Sequence, residues 1–126
     1  MAWHHDRERN MNKNSLEITE VRAGHTCVLA LAGRIDSTNA EQLTERVNKL
    51  LAAGEKNLVV DFKEVRYLTS AAFRVLLIAT DEAERNAARF ALCSVLGQVR
   101  ELFEMGGLID AFTIHNSRDE ALAQLG

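Results

Sequence analysis

Residues 57–62, reading NLVVDF, carry apolar side chains at consecutive positions where a half-buried strand would alternate them with polar ones. A strand of this pattern is buried on both faces, the condition of a parallel sheet flanked by helices. Parallel neighbours cannot be joined by a tight turn and need a crossover of about a dozen residues or more, commonly a helix. A helix is read on either side of it. Before it, Thr38 and Glu41 have the spacing of a capping box, which starts a helix near Asn39. The apolar stripe of that helix is Ala40, Leu43, Val47, Leu50 and Leu51, and Gly54 closes it. After the run, residues 63–68 read as a loop and residues 70–86 as a second helix. The first half of this helix is apolar almost all round, interrupted by Arg74, and the second half is polar. Its beginning is thus expected to be packed and its end to lie in water.

The flanking segments extend the alternation. Residues 16–22 largely alternate apolar and polar, Ala23-Gly24-His25 is a turn, and residues 26–31 form a second strand, which together predict an antiparallel hairpin. Residues 89–95 read as a strand, 98–105 as a short helix ended by Gly106-Gly107, and 112–115 as a last short strand. Ser117 and Glu120 form another capping box, opening a C-terminal helix that buries Leu122 and Leu125. The sum is one α/β domain over residues 15–126, with a mixed sheet of four to five strands packed with about four helices. Residues 1–14 are polar without a period and read as a flexible arm.

Composition narrows the function classes. With 47% hydrophobic and 26% charged residues the chain is an ordinary globular sequence. A net charge of −3 argues against a nucleic-acid binder that relies on a basic surface. No apolar run approaches the ~20 residues that span a bilayer, and the first residues lack the apolar core of a secretory signal, so a cytoplasmic protein is expected. The chain has no proline where about six would be usual. That removes polyproline ligands and obligatory helix kinks. Cys27 and Cys93 sit inside apolar runs and read as small buried side chains of a reducing compartment.

Enzyme signatures are missing: no GxxxxGK[ST], GxGxxG, HExxH or GxSxG occurs. His4 and His5 stand in the arm beside Asp6, His25 lies in a turn and His115 near the last strand, none at metal-ligand spacing. No metal and no cofactor is expected. Two strand-to-helix junctions remain, residues 33–38 (GRIDST) and residues 66–77 (RYLTSAAFRVLL). In parallel α/β sheets such junctions gather at the carboxyl ends of strands, where ligands and partners bind. Thr69 and Ser70 stand at the start of the second helix. Either serves as an N-cap, or one is a regulatory phosphorylation site whose added charge the helix end tolerates.

These junctions also carry a family resemblance. The segments LALAGRIDSTNAEQL, NLVVDFKEVRYLTSAAFRVLL and LCSVLGQVRELFEMGGLIDAFTIHNSRDEAL resemble, in order and at the right spacing, those of the STAS domain of anti-sigma factor antagonists. The resemblance covers residues 16–125 and implies the STAS fold. It implies that Ser70 is the serine phosphorylated by an anti-sigma factor of the GHKL-ATPase kinase type, with a serine phosphatase reversing the step. It further implies a partner-binding face of Asp36, Ser37, Thr69, Ser70, Ala71, Ala72, Phe73 and Arg74. The partner, not this chain, would hold ATP, and the protein would release a sigma factor without enzymatic activity of its own. Thr69 stands where such antagonists have Asp or Ser, Ala72 where they have Gly, and Phe73 where they have Leu or Met. The exchanges at Thr69 and Ala72 favour a second reading, a constitutive STAS scaffold of a signalling or transporter assembly in which Ser70 only caps a helix. A third, a small enzyme built on Asp36 and Ser70, lacks a general base, the nearest charged residues being Lys63, Glu64 and Arg66.

Overall fold

The doubly buried run lies in the central strand of a five-stranded sheet, in a computed structural model that describes residues 15–125. In chain order the elements are β1 (Leu16–Ala23), β2 (Thr26–Ile35), α1 (Ala40–Ala52), β3 (Asn57–Leu68), α2 (Ser70–Arg85), β4 (Arg89–Cys93), α3 (Gly97–Met105), a 3-10 turn (Ile109–Ala111), β5 (Ile114–His115) and α4 (Arg118–Leu125). The strands lie in sequence order; β1 and β2 are antiparallel and every later pair is parallel. The mixed α/β sheet with its opening hairpin is the architecture expected. The arm, with His4, His5 and Asp6, lies outside the described residues.

Both faces of β3 are covered, which is why its first half does not alternate. Leu58, Val60 and Phe62 join Leu29, Leu31 and Leu92 on one face, under Leu43 and Val47 of α1, Val75 and Leu76 of α2 and Phe103 of α3. On the other face Val59 joins Val28, Ala91 and Cys93 beneath Ala121 and Leu125 of α4. Burying each large aliphatic side chain contributes roughly 1.5–3 kcal/mol. Phe103 anchors α3 by edge-to-face contacts with Phe62, Phe73 and Phe112 at 5.8, 4.9 and 5.8 Å between ring centres. Cys27 and Cys93 are buried and unpaired.

Several local expectations are corrected. Residues 63–68 are strand, not loop, and β2 continues to Ile35 instead of ending at Leu31. The two extensions pair with each other across two register shifts, at Ala30/Ala32 and at Gly33/Arg34, each giving β3 one residue more than β2. These bulges break the alternation by which a strand is recognised. At the other edge β4 stops at Cys93 and β5 is shorter than expected. The second helix packs along its length through Ala72, Val75, Leu76, Ala79 and Ala83, leaving Leu77 and Ile78 38% and 43% exposed. Its apolar first half is therefore not packed all round. In α4, Ala121 and Leu125 are buried while Leu122 is only half-buried.

The predicted C-cap of α1 forms: the N–H groups of Gly54 and Glu55 return to the carbonyls of Leu51 and Leu50, with Gly54 at φ +94. Ser117 caps the C-terminal helix as expected, its Oγ accepting the Glu120 N–H at 3.1 Å, while the Glu120 carboxylate returns to the Asn116 N–H at 3.5 Å instead of that of Ser117. Gly33 meets a stricter demand. It holds φ +105 at the second bulge, and a Cβ there would run into the carbonyl oxygen of Ser15. Around Gly54 a Cβ would find open space. Gly33→Ala is expected to cost at least about 2 kcal/mol, from backbone strain plus collision, and Gly54→Ala about 1 kcal/mol, from strain alone. Urea unfolding of the two variants checks this; equal losses would contradict it.

Candidate functional site

The paired extensions of β2 and β3 end together, with Ile35 opposite Leu68. One residue further, the Thr69 N–H donates to the Ile35 carbonyl at 3.0 Å, and the Thr69 hydroxyl lies 3.4 Å from the same oxygen. The two junctions singled out in the sequence are thereby brought side by side, one leading into α1 and the other into α2.

The first junction is locked by its own side chains. Asp36 Oδ1 accepts the Thr38 hydroxyl at 2.6 Å and the Thr38 N–H at 2.9 Å, while the Asp36 N–H donates to Asn39 Oδ1 at 2.9 Å. Asn39 Nδ2 reaches back to the Arg34 carbonyl at 3.0 Å. The capping box expected from Thr38 and Glu41 does not form, because the Thr38 hydroxyl is engaged by Asp36; α1 still begins immediately after Asn39. Ser37 is exposed at the tip of this turn.

At the second junction Thr69 is the N-cap residue of α2, but its hydroxyl faces Ile35 and no side chain caps the helix. Ser70, the first helical residue, is exposed, and its hydroxyl has no partner among the described residues. Ala71 is half-buried. Ala72 is 0% exposed and belongs to the core, so of the eight residues expected on a binding face it alone offers no surface. Phe73 is half-buried with its ring against Phe103. Arg74 is exposed one turn after Ser70, followed on the same side by Leu77 and Ile78.

The sequence reading missed two features. Arg34 lies over the Tyr67 ring at 4.7 Å, on paired positions of β2 and β3, a contact hidden because the bulges leave residues 63–68 without a strand period. Asp61, 4% exposed, accepts Arg118 Nε at 2.9 Å and the Lys63 N–H at 2.9 Å. This pair ties α4 to the sheet beside a cleft of about 550 Å³. A carboxylate inside the apolar run was the signal for it, since a buried charge needs a partner. Burial pushes both thiols up, Cys93 to about 11, with Asp61 as its second cause, so neither cysteine is a ready nucleophile near neutral pH. Among the described residues no group of three or more His, Cys, Asp or Glu could hold a metal, and no helix is long and apolar enough to cross a membrane.

With this geometry in hand, comparison with known proteins is specific. A family model of the STAS domain matches residues 17–121. The chain belongs to the STAS domain family. A relative from Bordetella bronchiseptica, provisionally named anti-sigma factor antagonist BtrV, is 31% identical over 108 residues, covering 86% of this chain and 93% of that protein. An anti-sigma factor antagonist from Mycobacterium paratuberculosis superposes with a TM-score of 0.80 at 20% identity, over 89% of this chain and 95% of the other. The Bacillus cell fate determinant SpoIIAA, solved in its phosphorylated form, superposes with a TM-score of 0.67 at 19% identity, over 89% and 100%. At these identities the two structures establish the common fold.

The Thr38 hydroxyl, then the Thr38 N–H, holds the Asp36 carboxyl below its ordinary value, with the Arg34 charge adding to the effect. A lowered folded-state value means stability present above the unfolded value near ~4 and lost as pH falls through the folded one. In this STAS domain Thr38→Val is expected to move the Asp36 titration upward in a carboxylate NMR experiment. An unchanged titration would contradict the turn described.

Proposed function

We propose that this STAS domain is an anti-sigma factor antagonist, a binding module that docks on an anti-sigma factor of the GHKL-ATPase serine kinase type and is switched off by phosphorylation of Ser70. The observation that carries the reading is the Ser70 hydroxyl, exposed and, among the described residues, unpartnered at the start of α2, beside the Asp36 turn. The names of the Bordetella and Mycobacterium relatives and the phosphorylated form of SpoIIAA support it.

The docking face we assign comprises Asp36, Ser37, Thr69, Ser70, Ala71, Arg74 and the outer edge of Phe73. Leu77 and Ile78 continue it along α2, an apolar strip suited to contact with a partner. Ala72 supports this face from beneath, and its methyl does not stand between Ser70 and a partner. On this reading the exchange at Ala72 weighs less towards a constitutive scaffold. In the switch, Ser70 Oγ attacks the γ-phosphorus of ATP held by the partner, the bond to ADP breaks, and the hydroxyl proton passes to a base of the kinase. The phosphate adds about −1.5 to −2 charge. The first turn of α2, with no acidic residue and no side-chain cap, accepts that charge through its N–H groups and dipole. The fold persists while the docking face, with Asp36 and Arg74 balanced before, becomes net negative. Hydrolysis by a serine phosphatase restores the binding form.

Incubation with the anti-sigma kinase co-purified from the native cell, Mg²⁺ and ATP, followed by mass spectrometry and pull-down, tests the reading. Phosphate is expected on Ser70 of the wild type and absent from Ser70→Ala, and Ser70→Asp is expected to bind at least about tenfold more weakly. An unmodified Ser70 together with equal binding by Ser70→Asp would overturn it.

A further inference from the structure

The arginines divide sharply by partner. Five hold a carboxylate: Arg22 with Glu55, Arg46 with Glu20, Arg85 with Glu82, Arg100 with Glu104 and Arg118 with Asp61. Arg89 reaches the Gln124 carbonyl, and Arg34 lies on Tyr67. Among the described residues that leaves Arg66 and Arg74, both exposed and both without such a partner, at the two ends of the segment that contains Ser70.

Arg74 is the more telling of the two. On a helix, a side chain meets those three and four residues away. For Arg74 these are Ser70, Ala71, Leu77 and Ile78. Three are apolar and cannot pair with a guanidinium; the fourth is Ser70. α2 has no acidic residue in its first turn to compete. An anion at position 70 with a cation at position 74 also has the favourable order for a helix, acid before base. The guanidinium fork suits phosphate oxygens in a bidentate contact.

We propose that Arg74 is the internal receptor of a phosphoryl group on Ser70. The proposal rests on the reading of Ser70 as a modification site and adds how the modification acts. Without phosphate, Arg74 stands free beside Leu77 and Ile78 and is available to an acidic group of the partner. With phosphate, it folds back one turn and is withdrawn from the docking face. The switch then removes a cation from the face in addition to placing an anion on it. Asp36 is the acidic group at the same corner and opposes the phosphate; Arg34 and Arg66 are the other cations there.

The test needs no kinase. Phosphoserine is installed at position 70 of the full chain by genetic-code expansion, and its phosphate is titrated by ³¹P NMR. The second ionisation, ordinarily near pH ~6, is expected roughly 0.15–0.4 pH units lower in the wild-type background than in Arg74→Gln. Arg85→Gln, which alters an arginine already held by Glu82, is expected to leave it unmoved. Arg74→Lys is expected to recover part of the shift. Matching thermal midpoints of unphosphorylated wild type and Arg74→Gln confirm that folding is intact. Coincident titrations in wild type and Arg74→Gln would overturn the proposal. Because the phosphate is placed synthetically, that failure is distinct from a kinase leaving Ser70 untouched.

Discussion

The parallel ladder between β2 and β3 is the constraint on which the rest of the molecule depends. It begins in the middle of the sheet, passes two bulges and ends with Ile35 opposite Leu68. The Ile35 carbonyl then accepts the Thr69 N–H, so the last rung of the ladder is also the first contact between the two turns. Each strand leads through a short junction into a helix, and α1 and α2 pack side by side on one face of the sheet. Shortening the ladder by its bulged half would separate Asp36 from Ser70 and leave two unrelated corners. Gly33 is the residue that permits the second bulge, because it holds φ +105 and the Ser15 carbonyl, just before β1, occupies the place of a side chain.

Around this ladder the surface is prepared by polar side chains that are already spent. Asp36, Thr38 and Asn39 bind one another and the backbone, so their turn has little freedom left to lose when a partner arrives. Phe73 fixes the start of α2 through Phe103. Among the described residues of this face, the uncommitted groups include the Ser37 and Ser70 hydroxyls, the Arg66 and Arg74 guanidiniums, and the apolar ends of Leu77 and Ile78. A rigid frame with a few free groups suits a module whose binding is altered by one covalent change and whose fold is not.

Much of this was legible in the chain because the decisive signals were local. The consecutive apolar residues 58–60 within NLVVDF announced a covered parallel strand, Gly54 announced a helix end, and the period of residues 16–22 announced the hairpin. Legibility stopped where a side chain had two possible partners or a strand lost its period. Residues 63–68 hid as a loop because two bulges shift the exposure pattern out of step. Thr38 had the spacing of a cap, yet Asp36 two residues earlier took its hydroxyl. Ala72 and Arg74 are two residues apart on one helix, one in the core and one in solvent. The apolar residues around them masked the helical period that separates the two. The Asp61–Arg118 pair joins residues far apart in the chain, and only the aspartate end of it had a signature in sequence.

Native-state hydrogen exchange at the Thr69 amide tests the central claim directly, that the β2–β3 ladder fuses the two corners into one surface. Protection comparable to that of the amides of Val59 and Val60, deep in the same ladder, is the predicted result. Exchange at the rate of an exposed loop amide would contradict the account, because the Asp36 and Ser70 turns would then not share a common frame.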